Sequence, residues 1–391
     1  LAIAFAVFAA VPAVAEDSEG AASPLPTADE SGIITLASAD YILTANITNS
    51  IVVPTGITAT IDLAGFSITN TAGKATIDVT GTLTISNTGD KDTGRVIQNE
   101  AAKASGEIGN AAIMVNVGGI ATINGGTIEN TNAKAWYTIK NLGTTTIDGK
   151  VTVTNASAKS SNVANGWYDG TKNSSKANAK MTIESGTFGG YQYVKNDDWG
   201  VMTINGGTFT MSGDRGAAIM NWNDITIGSE NGSGPTFNGN NGCIILNGCF
   251  DDERGKGTAT INAVDVADGK SFPLIGISVD SNPFGTITIA EDAWEGEILS
   301  ISEGITLNGS IVMDGNTAKF ENIKAGNGGI TLSIGSIIIS GNIVSGSGDA
   351  DEISTAITGT GDVVFKNLTI TSGTLDVSNV KIEGKVIVSE D

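Results

Sequence analysis

One recurring phrase constrains the fold of this chain more than any other feature. Residues 112–130 read AIMVNVGGIATINGGTIEN, which is three short apolar runs separated by Asn and Gly. Related phrases stand at residues 136–154, 192–210 and 217–227. A unit of this length cannot bury its own apolar face, so successive copies must stack on one another, as they do in solenoid proteins.

The repeated unit has the chemistry of β-strands. Each copy contains a Thr-Ile pair, in which one residue faces the core and the other faces solvent in an extended chain. Gly-Gly and Asn-Gly pairs supply the positive φ angles that tight corners require. Three strands of about five residues each, with their corners, give a rung of about 20–25 residues. The pairs are Thr122-Ile123, Thr146-Ile147, Thr182-Ile183, Thr203-Ile204 and Thr226-Ile227.

An asparagine recurs at one corner of the repeat. We predict that these side chains form a structural ladder in which the amides of successive rungs stack. The alternative is that Asn recurs because it tolerates tight turns. The interval between the second and third members is about twice the others, which indicates that one rung lacks its Asn or carries a loop. The predicted ladder residues are Asn116, Asn141, Asn196, Asn221 and Asn247.

Composition excludes several functions. The 391 residues carry a formal net charge of −21, which repels nucleic acid and anionic lipid. The chain has no histidine, so the usual general base and the commonest transition-metal ligand are both missing. An apolar fraction of 40%, rich in β-branched residues, argues against a disordered chain.

The N-terminal part of the chain differs from the rest. Residues 1–15, LAIAFAVFAAVPAVA, are predicted to be a signal peptide cleaved before Glu16, with a retained hydrophobic N-terminal segment as the alternative. As a helix they would span about 22 Å, too little to cross a hydrocarbon core of roughly 30 Å, so no stable membrane span is expected. Residues 16–31 have the composition of an acidic flexible linker. These features predict an extracellular protein.

Residues 34–69 carry a family resemblance. The runs IVVPTGIT at 51–58 and IDLAGFSI at 61–68 resemble the opening rungs of secreted parallel β-helix proteins of the pectate-lyase-like group. The phrases INGGTI and INGGTF extend the similarity to about residue 240, and the chain is similar to adhesin-like surface proteins of anaerobic bacteria and methanogenic archaea. Members often have Asn where Ala64 stands. The resemblance implies an all-β, right-handed, single-stranded parallel β-helix at the cell surface, often without enzymatic activity.

The Asn corner defines a candidate domain boundary. We assign residues 32–257 to a β-helix with Asn and Gly corners. After residue 258 alternating strands persist without the Asn corner. Residues 258–391 therefore continue the solenoid or form a separate C-terminal β domain.

Catalysis is the first function to weigh, because the resembled fold hosts polysaccharide lyases and hydrolases. Glycoside hydrolysis needs clustered carboxylates, and the adjacent pairs Asp197-Asp198 and Asp251-Asp252 are the candidates. The hydrolases of this fold carry a Gly-His-Gly element, which a chain without histidine lacks. We therefore predict that the protein is not an enzyme, and assign no catalytic residue.

Carbohydrate binding is the second candidate function. Aromatic side chains gather between residues 136 and 222, where they would stack on sugar rings if they line a flat face. The alternative is that they cover the core, as large amphipathic rings often do. The candidate ligand-binding residues are Trp136, Trp199, Trp222, Tyr191 and Tyr193.

Two further candidate sites lie close together. Cys243 and Cys249 would form a local disulfide across the intervening corner, or act as two small buried hydrophobes. Asp251, Asp252 and Glu253 would hold Ca²⁺ if their carboxylates converge, or else form a solvated turn. No other cofactor is expected.

These observations predict a non-enzymatic extracellular structural protein of the cell surface, adhesin-like or a self-assembling filament or sheath subunit. The alternative is a β-helix that binds carbohydrate or acts as a polysaccharide lyase or hydrolase. Its partners would be copies of itself, meeting end to end or laterally, or cell-surface glycans. Open-ended contacts between copies produce fibres.

Overall fold

The structure, a computed structural model, describes most of the chain as far as residue 294. It covers residues 22–71, 75–89, 93–102, 110–157, 161–167, 178–190, 192–211, 217–239, 242–248, 257–277, 285–290 and 293–294, and beyond these the backbone of the strands alone. All regular structure in these residues is β-strand. No helix in this part of the chain is long and apolar enough to cross a membrane.

Thirty-seven strands follow one another along the described part of the chain. In order they are β1 (Ile33–Thr35), β2 (Ala39–Ile42), β3 (Ser50–Val53), β4 (Thr58–Asp62), β5 (Ser67–Thr69), β6 (Ile77–Val79), β7 (Thr82–Ser86), β8 (Arg95–Gln98), β9 (Ala111–Val115), β10 (Ile120–Asn130), β11 (Tyr137–Asn141), β12 (Thr144–Asn155), β13 (Ser161–Asn165), β14 (Ala179–Ile183), β15 (Thr187–Gly190), β16 (Gln192–Asn196), β17 (Gly200–Ile204), β18 (Thr208–Met211), β19 (Ala217–Asn221), β20 (Asp224–Ile227), β21 (Thr236–Gly239), β22 (Cys243–Asn247), β23 (Thr258–Ile261), β24 (Asp265–Val266), β25 (Ile275–Ile277), β26 (Gly285–Ile289), β27 (Glu295–Gly296), β28 (Leu299–Ile301), β29 (Gly309–Met313), β30 (Thr317–Phe320), β31 (Ile323–Ala325), β32 (Ile330–Leu332), β33 (Ile334–Ile339), β34 (Asn342–Ile343), β35 (Ile357–Gly359), β36 (Val363–Ile370) and β37 (Val380–Val388).

The strands form three parallel faces. Among the described strands, sheet 1 has 13 in the order β1-β3-β6-β9-β11-β13-β16-β19-β22-β25-β28-β31-β35. Sheet 2 contains β2, β4, β7, β14, β17, β20, β23, β26 and β29 with the first halves of β10 and β12, whose second halves join β5, β8, β15, β18, β21 and β24 in sheet 3. Each turn of the chain adds one strand to each sheet. The fold is a right-handed parallel β-helix, which confirms the predicted fold class.

Turn length matches the sequence estimate where the chain has no insert. Asn141 and Asn165, which end β11 and β13 in sheet 1, are 24 residues apart. Asn221 and Asn247, which end β19 and β22, are 26 residues apart, just above the upper end of the predicted rung length. Longer turns carry their extra residues between β8 and β9 and between β13 and β14. The strand pairing itself is unaffected by them.

The core is a set of side-chain columns. In sheet 2, nine successive turns place an isoleucine at the same inward position, and each of these side chains is at most 2% exposed. Complete burial of one such side chain contributes about 1.5–3 kcal/mol. The column comprises Ile61, Ile85, Ile123, Ile147, Ile183, Ile204, Ile227, Ile261 and Ile289.

Sheet 3 stacks aromatic rings in its interior. Phe188, Phe209 and Phe237 occupy equivalent positions on β15, β18 and β21 and are fully buried. The ring centroids lie 4.7 Å and 5.2 Å apart, with interplanar angles of 8° and 22°. The strand repeat of about 4.8 Å sets this spacing. Phe209 therefore has an aromatic neighbour on both sides.

The first described residues lie on the end of the solenoid. The prediction of a flexible linker covered residues 16–31, but Ser23 exchanges backbone hydrogen bonds with Asp40 and Ile42, and Leu25 and Ala28 pack against the core. Residues 22–31 therefore belong to the folded unit, because their apolar side chains cover the first turn. Residues 1–21 lie outside the described residues.

Strand pairing continues past the predicted boundary at residues 257 and 258. β23 pairs with β20 before it and β26 after it, and β25 pairs with β22. The same parallel pairing extends to β37. What ends at this point is the asparagine row, while the three-sheet arrangement persists.

Replacing Phe209 with Ala should lower the free energy of unfolding by about 3–5 kcal/mol, because it opens a cavity between two stacked rings. The measurement is the urea midpoint and slope followed by circular dichroism. The matched control is Thr210→Ala, the exposed next residue of the same strand, expected to change stability by less than about 0.5 kcal/mol. Equal effects of the two substitutions would contradict the assigned orientation of β18.

Candidate functional site

A continuous ladder of asparagine side chains runs inside the corner between sheets 1 and 2. Each member ends a strand of sheet 1, and every one of them is fully buried. The Nδ2 of each asparagine donates to the Oδ1 of the next at 2.7, 2.9, 2.9 and 2.6 Å. The members are Asn141, Asn165, Asn196, Asn221 and Asn247.

The ladder also satisfies backbone groups at the corner. Asn196 Nδ2 donates to the carbonyl oxygens of Gly200 and Asp224 at 3.0 and 2.9 Å, and Asn221 Nδ2 does the same to those of Asn223 and Thr258 at 2.9 and 3.1 Å. A buried carbonyl without a partner is costly. The asparagine is therefore the residue that lets the chain turn sharply from one sheet to the next.

The ladder differs from its sequence prediction at two positions. Asn165 fills the wide interval between Asn141 and Asn196. Its sequence signal is the pair Asn165-Gly166 in the middle of the polar stretch 155–180. Asn116 does not belong to the row, because Val115 takes the equivalent position opposite Asn141. Asn116 is the residue after that position, and its side-chain Nδ2 instead donates to the Asp78 carboxylate.

A second buried polar group lies on the other side of sheet 1. Ile139 and Asn141 face the interior, so Lys140 between them points away from it. Lys140 is nevertheless fully buried. The column that contains it continues through Ala164 to Lys195, two turns along. This outer surface is therefore covered rather than exposed to solvent.

Asp197 lies between the two lysines. Its Oδ2 is 3.1 Å from Lys140 Nζ, and its Oδ1 is 2.8 Å from Lys195 Nζ. The side chains of Lys140, Asp197 and Lys195 are 0%, 1% and 11% exposed. We call these three residues the lysine–aspartate cluster. One carboxylate thus pairs with two ammonium groups.

Aromatic rings surround the cluster. Lys195 Nζ lies 3.3 Å from the centroid of the Trp222 ring, and Lys140 Nζ lies 4.9 Å from that of Tyr137. Both are cation–π contacts, which are stronger away from water. The backbone of Trp167 pairs with that of Asp198 at 2.8 and 3.1 Å, which brings a third ring to this side of the sheet.

Burial alone would raise the pKa of the Asp197 carboxyl. The charges of Lys195 and Lys140 and their hydrogen bonds outweigh burial and hold the pKa below its usual value. The cluster is thus a buried ion group in which both lysines stabilise the Asp197 carboxylate. Breaking such a group by removing one partner typically costs about 3–5 kcal/mol, because the remaining charge is buried without compensation.

Among the predicted ligand-binding aromatics, Trp136, Trp199 and Trp222 have described side chains, and one of these is buried. Trp222 is only 3% exposed and lies under Lys195, so its ring is not free to stack on a sugar. Trp136 is half-buried and its ring lies 6.1 Å from that of Tyr137. Trp199 occupies a tight turn with a φ of 63°. Tyr191 lies outside the described residues, as does the side chain of Tyr193.

The predicted disulfide and calcium sites fall largely in undescribed sequence. Cys243 is a buried free thiol that contacts the Ile245 carbonyl oxygen at 3.5 Å, as expected of a small hydrophobe. Burial raises the pKa of Cys243 to about 12. Cys249, Asp251, Asp252 and Glu253 lie outside the described residues, and the remaining ones contain no group of three or more potential metal ligands.

Sheet 2 presents a regular outer column of threonine. Nine successive turns place Thr at the same outward position, and all nine side chains are partly exposed. At about 4.8 Å per strand the column is about 38 Å long. Its members are Thr60, Thr84, Thr122, Thr146, Thr182, Thr203, Thr226, Thr260 and Thr288.

Comparisons of the chain with models of known protein families, with curated proteins and with solved structures find no match. The fold supports the parallel β-helix class alone, and the resemblance to adhesin-like proteins rests on the repeat phrases.

Replacing Asn196 with Ala should lower the free energy of unfolding by about 2–4 kcal/mol, because it leaves buried donors and carbonyls unsatisfied on both sides. Chemical denaturation of the purified chain measures this change. The control is Asn124→Ala at an exposed position, which should be nearly neutral. A neutral Asn196→Ala variant would show that the ladder does not support the corner.

In a Cys249→Ser variant, Cys243 should not react with Ellman's reagent at pH 8 in the folded state. With a pKa of about 12, only about one thiol in 10,000 is ionised at that pH. Urea should restore full labelling. The control is the same variant with Thr258→Cys added, because this thiol would be exposed and should react in the folded state. Stoichiometric labelling of folded Cys243 would contradict its burial.

Proposed function

We propose that this chain is a non-enzymatic, adhesin-like structural protein of the cell surface that binds neutral glycans. The observation that carries the proposal is the threonine column of sheet 2. Each threonine offers a hydroxyl that donates and accepts hydrogen bonds, beside a methyl group. A straight column of such groups suits a partner that is itself extended and repetitive, as a polysaccharide chain is.

Charge supports an uncharged partner. The chain has a formal net charge of −21, so an anionic polymer meets long-range repulsion. The column itself is neutral along all nine positions. Adhesion to a neutral glycan would depend on hydrogen bonds and methyl contacts, and therefore be only weakly affected by salt.

Rigidity supports a binding role for the face. The threonines lie on strands whose inner neighbours are the buried isoleucine column, so the hydroxyls are held in place before any ligand arrives. A face that does not need to be ordered on binding avoids part of the entropic cost of association. Over 13 strands, sheet 1 extends about 58 Å, which is the length of a stiff spacer.

The other candidate functions have less support. A lyase or hydrolase based on Asp197 would need an accessible carboxylate, whereas Asp197 is buried between two lysines. End-to-end assembly into filaments or sheaths would need a free first turn, whereas residues 22–31 lie against it. Lateral self-association through sheet 2 remains the alternative use of the threonine column.

The test is binding to a panel of insoluble neutral polysaccharides, measured by depletion from solution. Thr146→Glu with Thr203→Glu should weaken binding at least about tenfold, a loss of about 1.4 kcal/mol. The control pair is Thr152→Glu with Thr208→Glu, which makes the same change at partly exposed positions of sheet 3.

Three results would contradict the proposal. The unmodified chain binds no neutral polysaccharide, or both variant pairs bind equally well, or sugar is released from the polymers with Ca²⁺ present. Fibres whose formation depends on concentration and on Thr146 and Thr203, seen by negative-stain microscopy, would assign the column to self-assembly instead.

A further inference from the structure

The pair Lys140 and Asp197 has a chemistry that the proposed function does not use. Their side chains are 0% and 1% exposed, and Nζ lies 3.1 Å from Oδ2. The two residues are 57 positions apart in sequence and belong to turns of the solenoid that are not adjacent. An amine and a carboxyl are therefore held in contact, away from water, by a rigid scaffold.

We propose that Lys140 and Asp197 condense to form an intramolecular isopeptide bond. The new bond joins Lys140 Nζ to Asp197 Cγ, the Cγ–Oδ2 bond breaks, and one water molecule is released. The bond would tie β11 to the corner after β16, across the intervening strand β13.

The step balances without an external reagent. Starting from the ion pair, one proton passes from the Lys140 ammonium to Oδ2, giving a neutral amine and a neutral acid. The amine nitrogen attacks Cγ, and a second proton moves from nitrogen to Oδ2, which leaves as water. The third proton stays on the amide nitrogen. Nothing is oxidised or reduced.

Lys195 supplies the stabilisation that this step needs. When the amine attacks, negative charge develops on Oδ1, and Lys195 Nζ is 2.8 Å from that atom. A fixed donor at such an oxygen stabilises a tetrahedral intermediate strongly. Lys195 keeps its position through the cation–π contact with Trp222. We assign Lys195 as the residue that stabilises the oxyanion.

Position favours Lys140 over Lys195 as the nucleophile. Lys195 is the more exposed of the two, at 11%, and its Nζ lies over the Trp222 ring, 3.3 Å from the ring centroid. Lys140 is fully buried, and its Nζ lies 3.1 Å from Oδ2, the oxygen that leaves as water. Well-oriented intramolecular partners reach effective concentrations of about 10⁵–10⁸ M.

The competing interpretation is a permanent ion pair. The lowered pKa of Asp197 is consistent with an ionised carboxyl before any reaction. The two interpretations differ by the mass of one water molecule, so mass spectrometry separates them. The result is independent of whether the chain binds glycans.

The experiment is peptide mapping of the denatured full chain after folding. Trypsin cleaves after Lys134, Lys150, Lys195 and Arg215 but cannot cleave at an acylated Lys140. We expect residues 135–150 linked to residues 196–215, at the sum of the two masses minus one water. Separate peptides of full mass, with cleavage after Lys140 in a protein folded by circular dichroism, would overturn the proposal.

Variants test each assigned role. Lys140→Arg keeps the charge and Lys140→Met removes it, and both should abolish the linked peptide. Asp197→Asn should give the same product by loss of ammonia. Lys195→Met should slow linkage at least about tenfold in a time course after cell-free synthesis, since loss of an oxyanion donor typically costs about 10²–10³-fold. An unchanged rate in Lys195→Met would overturn the role of Lys195.

Discussion

The structure depends on the constraint that each side chain stacks on its counterpart one turn away, about 4.8 Å along the axis. Stacking like on like stabilises apolar, aromatic and amide groups. It therefore produces the isoleucine column, the phenylalanine stack and the asparagine ladder in one molecule. Amide side chains are especially suited to this stacking, because each one both donates and accepts a hydrogen bond. The hydrogen bonds therefore continue from Asn141 to Asn247 without a break.

The same constraint is unfavourable for charges, and the lysine–aspartate cluster shows how the chain accommodates it. Lys140 and Lys195 share a column, and direct stacking would place like charges on adjacent strands. The small side chain of Ala164 separates them, and the Asp197 carboxylate reaches the space between. The cluster and the ladder lie on opposite sides of sheet 1. The ladder orders the interior of the corner, and next to the cluster the backbone of Asp198 pairs with that of Trp167.

The periodic features of this fold can be predicted from the sequence. The Thr-Ile pairs and the Gly corners predict the strands, the turn length and the alternation of inner and outer positions. Contacts between residues that do not occupy equivalent positions of the repeat cannot be predicted in this way. Asp197 looked like half of an exposed carboxylate pair because its partner Lys140 is 57 positions away. Trp222 looked accessible because nothing in its own turn shows that Lys195 covers it. Residues 22–31 have the composition of a linker, yet the apolar side chains of Leu25 and Ala28 pack against the core.

Variation in turn length has a practical consequence for engineering. The chain lengthens some turns between β8 and β9 and between β13 and β14, and the flanking strands keep their register. The connection between β8 and β9 leads from sheet 3 to sheet 1, and the connection between β13 and β14 leads from sheet 1 to sheet 2, whose outer face carries the threonine column. A foreign peptide grafted at either connection would be displayed on a rigid support, at a height along the axis chosen by the turn that carries it.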